Sequence, residues 1–200
     1  MFRPIWVLVA ALAGCADSIN HDKPDAGAPS DATATTGLTC TAGNVCTARA
    51  SDGTYTTIVD STSETAWMYV DFETGAKVTP TDAWDLRFQR FHISSNSGVS
   101  GTGGVAIAPI ANTTFAQVTS PPATGYLVDN ADGNGDNLPD YVFDQGDTWY
   151  DYNVTTHVLT PRANVYVVKT DGGSTLKLEL TKYYDDAGTS GWFTLHWGPL

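Results

Sequence analysis

The chain is poor in the groups that most often carry chemistry. Of its 200 residues only three are Cys, two Met and four His, and ten Lys and Arg face twenty-two Asp and Glu, for a formal net charge of −12. So few cations exclude nucleic acid as a partner, because phosphate contacts need clustered Lys and Arg. There is no HExxH or paired-His zinc spacing, and no GxSxG elbow among the serines. Acidic pairs such as Asp185-Asp186 fall in turns, so the chain is read as a non-enzyme. Charged residues make up only 16% against 42% apolar, with abundant Gly, Thr, Asp and aromatics, a mixture that suits one all-β domain.

The one sustained apolar run, Ile5 to Gly14 behind Arg3, is too short to span a bilayer. It ends in LAGC, which resembles a bacterial lipobox, so residues 1–15 read as a lipoprotein signal peptide with Cys15 as the acylated residue. Ala16 follows, without the aspartate that retains enteric lipoproteins at the inner membrane, and this favours an outer-membrane lipid anchor. Residues 16–37 are Ala, Asp, Pro, Ser and Thr with few large apolar groups, and are expected to form a disordered tether. His21 belongs to that tether. Residues 38–200 are left for the folded domain. Cys40 and Cys46 bracket a small loop, and in an exported protein a disulfide is favoured over a metal site.

Past Ser51, short β-prone runs alternate with Gly-, Asn-, Asp- and Pro-bearing turns, and no long amphipathic helix interrupts them. The expected architecture is all-β, an antiparallel sandwich or irregular barrel. VKTDGGSTLKLEL reads as a hairpin about Asp171-Gly172-Gly173. Trp84 to Ile93 reads as one strand, with Trp84, Leu86, Phe88, Arg90 and His92 on the core side and Asp85, Arg87, Gln89, Phe91 and Ile93 opposite. Arg90 and His92 would then close that face at a rim, either paired internally with acidic neighbours or touching a ligand. In NADGNGDNLPDYV, the side chains of Asp132, Asn134, Asp136 and Asp140, with a carbonyl near Leu138, have the spacing of a short extracellular calcium loop. Asn137 stands where such loops carry Gly and tolerates a left-handed backbone. A plain Asx-rich turn is the alternative.

Three segments together, AWMYVDFETGAKV (66–78), AWDLRFQRFHISSNSGVSGTGGVA (83–106) and VYVVKTDGGSTLKLELTKYYDDAGTSGWFTLHW (165–197), resemble the HmuY family of haem-binding surface lipoproteins. The resemblance lies in an ordered set. W-x-Y precedes a turn and valine, WDL-x-x-x-R leads to an Asn/Gly-rich turn, and a Tyr-Val-Val hairpin returns through a Lys-bearing strand to a tyrosine pair. It implies an all-β fold that captures haem for uptake without transforming it, with haem or haem-carrying proteins as partners and an outer-membrane receptor as a further candidate. Haem iron takes axial His or Met, and its propionates take cations. Here His157 and His92 are the candidate ligands. Trp149, Tyr150 and Tyr152 are candidate aromatic walls, and Arg87, Arg90, Arg162 and Lys169 candidate propionate partners. Best-known members use two histidines between the opening strand, here Trp84 to Ile93, and the last hairpin. This chain has one there, His157, and the Asp-rich loop stands in the other's place. A calcium-stabilised interaction module of the same fold, without haem, is the alternative function.

Overall fold

A computed structural model describes residues 38–200. The signal peptide, Cys15 and the tether lie outside the described residues. Twelve strands follow in order: β1 (Val45–Arg49), β2 (Tyr55–Asp60), β3 (Met68–Asp71), β4 (Ala76–Val78), β5 (Leu86–Gln89), β6 (His92–Ser95), β7 (Ala106–Ala111), β8 (Tyr150–Asn153), β9 (Val158–Pro161), β10 (Asn164–Lys169), β11 (Thr175–Tyr184) and β12 (Ser190–Pro199). They form a six-stranded sheet, β1-β2-β12-β11-β10-β7, a four-stranded sheet, β4-β3-β5-β6, and the separate β8-β9 ribbon, all antiparallel.

The two larger sheets pack face to face because each presents an alternating apolar face. Leu176, Leu178 and Leu180 of β11 and Phe193, Leu195 and Trp197 of β12 meet Val70, Leu86, Phe88 and Ile93 from the smaller sheet. Phe88 lies 5.3 Å from Phe193 and Phe72 5.1 Å from Trp197, ring centre to ring centre. Polar residues on the outer face pair across strands. Glu179 accepts from His196 at 2.8 Å, as the alternation of His196 with Phe193, Leu195 and Trp197 requires. β10 is buried on both faces, since Val165 and Val167 pack with Ala108 and Val118 in a second apolar cluster on the outside. Cys40 and Cys46 form the expected disulfide, with Cα atoms 5.5 Å apart. Closing so short a loop contributes roughly 2–3 kcal/mol in the chain-entropy picture.

One strand assignment is corrected, and the β-prone run YVFD forms no strand, because Val142–Asp144 is a single 3-10 turn. The stretch from Trp84 to Ile93 is not one strand but the β5-β6 hairpin, turning at Arg90-Phe91 with Gln89 opposite His92. The turn carries none of the Gly, Asn or Asp that usually mark one. Arg90 adopts φ 50° because tertiary contacts hold it there. Its N–H donates to the Ser61 carbonyl at 2.7 Å, and its own carbonyl accepts from the Ser61 hydroxyl at 2.8 Å. Its guanidinium reaches Thr62 O at 3.3 Å and Ser190 Oγ at 3.2 Å. Reversal at this point changes the faces. Ile93, opposite Phe88, joins the core, while His92, opposite Gln89, leaves it for the outer side.

Candidate functional site

The long connection from β7 to β8 is bound to the back of β6 through one buried carboxylate. Asp129 accepts from the Ser95 N–H and the Ser94 hydroxyl at 2.9 Å each, from the Ser95 hydroxyl at 3.0 Å and from the Val142 N–H at 3.1 Å. The chain passes so close at Gly98 that a Cβ there would sit 1.8 Å from the Asp129 carbonyl oxygen. Asn130 and Asp140 then exchange backbone hydrogen bonds of 3.0 and 2.9 Å and close the Asp-rich loop at its base. Beyond Asp140 the chain runs back to His92. The 3-10 turn presents Asp144, whose Oδ2 lies 2.9 Å from His92 Nδ1. The Trp149 indole N–H donates to the Phe91 carbonyl at 2.9 Å and brings Tyr150 alongside.

These elements enclose a groove of about 150 Å³, lined by Phe91, His92, Tyr141, Asp144 and Tyr150 together with Asn134, Asp136, Leu138 and Asp140 of the loop. The Phe91 ring lies 4.0 Å from the imidazole and the Tyr141 ring 5.9 Å from it. Burial pushes the Asp144 carboxyl above the ordinary range, against the opposing hydrogen bond from His92. Burial likewise raises the Tyr141 and Tyr150 phenols. With Nδ1 engaged by the carboxylate, His92 offers Nε2 as its free ring nitrogen, the arrangement in which proteins commonly present imidazole to a metal.

The other candidates scatter. His157 sits at φ 59° in the exposed turn of the β8-β9 ribbon, its Nδ1 hydrogen-bonded to the Tyr152 hydroxyl, and does not line the groove. Arg90 is engaged in its own turn. Arg87 lies over the Trp67 and Trp84 rings at 4.5 and 5.4 Å. Arg162 pairs with Asp151 at 2.7 Å and Asp147 at 3.5 Å, and Lys169 lies over Tyr126 at 3.9 Å.

Within the Asp-rich loop the side chains cap the backbone. Asp132 accepts from the N–H groups of Gly135 (2.6 Å) and Asn137 (2.9 Å), Asn134 from Asp136 (2.9 Å), Asp136 from Leu138 (2.8 Å) and Asp140 from Gly133 (3.1 Å). These bonds, that from Gly135 foremost, hold the Asp132 carboxyl below its usual range. Asn137 takes the left-handed conformation, φ 68°.

Among the described residues, carboxylate oxygens converge to within 4.8 Å elsewhere, at Asp71, Glu73, Asp85 and Asp171. Asp85 is fully buried and accepts from the N–H groups of Phe72 (2.8 Å) and Asp171 (2.9 Å). Burial, with the Glu73 and Asp171 charges adding to it, pushes its pKa up to about 8 despite those two bonds. Asp71, Glu73 and Asp85 lie near one another in sequence but Asp171 arrives from a distant hairpin, so no local motif announced the cluster. Asp129, Tyr141 and Asp144 were also invisible as site residues, for the same reason.

The fold and sequence have known counterparts. The sequence model of the HmuY protein family matches residues 63–197. The apo HmuY analog of Tannerella forsythia superimposes with a TM-score of 0.55 at 19% identity, over 76% of this chain and 95% of that one. A candidate HmuY-like haem binding protein from Bacteroides vulgatus gives 0.52 at 20% identity, over 72% and 91%. A candidate lipoprotein from Bacteroides fragilis gives 0.53 at 17% identity, over 76% and 91%. Among curated proteins none matches this chain. The match over residues 63–197, on an all-β fold shared with these structures, places the chain in the HmuY family.

Proposed function

We propose that this protein is an outer-membrane lipoprotein that binds haem for uptake and leaves it chemically unchanged. Export by residues 1–15, acylation at Cys15 and a tether over residues 16–37 would hold the domain at the membrane, within reach of haem-carrying proteins and a receptor. The observation that carries the haem reading is the His92–Asp144 pair, 2.9 Å apart, set among Phe91, Tyr141 and Tyr150 on an HmuY fold. An imidazole fixed through Nδ1 has its tautomer and direction set, and Nε2 is the atom that would meet iron. His157 and Arg90, engaged elsewhere, take no part in this reading. At about 150 Å³ the groove is below the roughly 300–1,000 Å³ of whole-ligand pockets, so a whole porphyrin would enter only if the groove opened. The test is a haemin titration followed at the Soret band. A saturating, stoichiometric shift that His92→Ala removes and His157→Ala retains is expected. A flat response in folded protein, or a shift indifferent to His92, overturns the proposal.

The acidic lining favours a second reading. Asp136, Asp140 and Asp144 meet the groove where propionates would need cations. On this reading the loop of Asp132, Asn134, Asp136, Leu138 and Asp140 binds calcium and stabilises an interaction module of the same fold that does not bind haem. Chelation that leaves the melting temperature unchanged, with no response to added calcium, rules it out.

A further inference from the structure

The far end of the sandwich carries a second and larger cavity, of about 360 Å³, which lies within the usual range for small-ligand pockets. It opens between the β3-β4 turn and the ends of β2, β11 and β12, and the haem reading makes no use of it. The length of β5, Leu86 to Gln89, separates it from the His92 groove, about 10 Å at the rise of a strand. Its floor is apolar and rigid. Phe72, Leu176 and Trp197 are buried, Tyr55 stacks on Trp197 at 4.2 Å and 11°, and Phe72 meets Trp197 edge-on. Its rim carries the carboxylate of Glu73, positioned by the Thr170 hydroxyl that donates to Oε1.

Among the described residues, the only formal charge on this wall is negative, and no Lys or Arg lines the cavity. Behind Glu73 stand Asp71, Asp85 and Asp171, and among the described residues no ion pair links any of the four to a Lys, Arg or His. A carboxylate beside buried apolar surface, with no cation of its own, selects a ligand that supplies positive charge and apolar body together. We infer that this cavity binds a small organic cation, a primary ammonium or guanidinium on an apolar body. The charged head sits at Glu73 and the body lies on Phe72, Leu176 and Trp197.

The experiment uses the full chain and phenethylamine as probe, followed by ligand-observed NMR and tryptophan fluorescence, with neutral 2-phenylethanol and calcium chloride as comparisons. Phenethylamine is expected to saturate, and 2-phenylethanol to bind at least about tenfold more weakly, the size of one charge-assisted hydrogen bond. Glu73 is exposed, so Glu73→Gln folds normally, and it should weaken the amine by a similar factor. His92→Ala, in the other groove, should leave amine binding unchanged whether or not haem binds. Absent saturation, equal affinity for the alcohol, or indifference to Glu73→Gln overturns the inference. Stoichiometric displacement of the amine by calcium overturns it too, because the carboxylates would then form a metal site.

Discussion

The two ends of the four-stranded sheet handle negative charge in opposite ways. At the β5-β6 turn, Asp144 meets an imidazole, and the pair is set against Phe91 and Tyr141. At the other end, Asp85 is buried beside three more carboxylates, with no cation paired to it among the described residues, and holds its proton to about pH 8. Pairing at one end leaves a free ring nitrogen suited to iron. Convergence at the other leaves charge that only an added cation or a proton offsets. On the proposed readings, one acidic chain thus offers an imidazole to a metal-bearing macrocycle at one end of a sheet and carboxylates to a cation at the other.

The contrast can be broken most severely through Gly98. A Cβ there collides with the Asp129 carbonyl, and φ 55° is a left-handed backbone, so Gly98→Ala should cost about 3 kcal/mol or more in urea denaturation. Because Asp129 holds the segment bearing Asp144 against β6, haemin binding should fall with it while amine binding in the far cavity persists in the folded fraction. The acidic end is probed by pH. The folded pKa of Asp85, about 8, lies above its ordinary 3.8, so the folded state keeps a proton that the unfolded chain has released. Its contribution is complete below about pH 4 and is lost as pH rises through 8. Between pH 5 and 8 stability should fall by on the order of 3–4 kcal/mol, a slope that Asp85→Asn flattens. A smaller effect is expected at the imidazole. Asp144→Asn keeps the shape and loses the charge behind His92, and should weaken haemin about 10- to 100-fold, as loss of such outer partners does at metal sites. The smallest concerns the Asp-rich loop. If it holds calcium, free calcium at about tenfold over its dissociation constant adds about 1.4 kcal/mol, and Asp136→Ala should abolish that gain in a thermal melt.

Much of the fold was legible because β-sheet periodicity is local. The alternation in TLKLELTKYY and GWFTLHW matches the faces in the structure, with Leu178, Leu195 and Trp197 buried and His196 half-exposed, and the chain turns from Thr170 to Ser174 about the glycines, as expected. The opening strand failed on the same principle. Its alternation is real on each side of Arg90, but the reversal is imposed by Ser61, Thr62 and Ser190, which lie far off in sequence. A reversal of direction there moved His92 and Ile93 to opposite faces from those the pattern gave. β1 was missed as well. It pairs with β2 beside the disulfide, in a segment read only for its cysteines.

The site was legible only in its ingredients. His92 and the Asp132–Asp140 loop were both visible as chemistry, and the structure lines one groove with them. Nothing in the sequence paired His92 with Asp144, 52 residues away, or separated it from His157. By itself the sequence determined the all-β class, the family, the disulfide and the shortage of cations, because composition, ordered motifs and two-residue periodicity are properties of the chain. Tertiary structure decided which carboxylate met an imidazole and which four met one another. Such meetings depend on sheet register and on turns held by distant residues, and no local pattern encodes either.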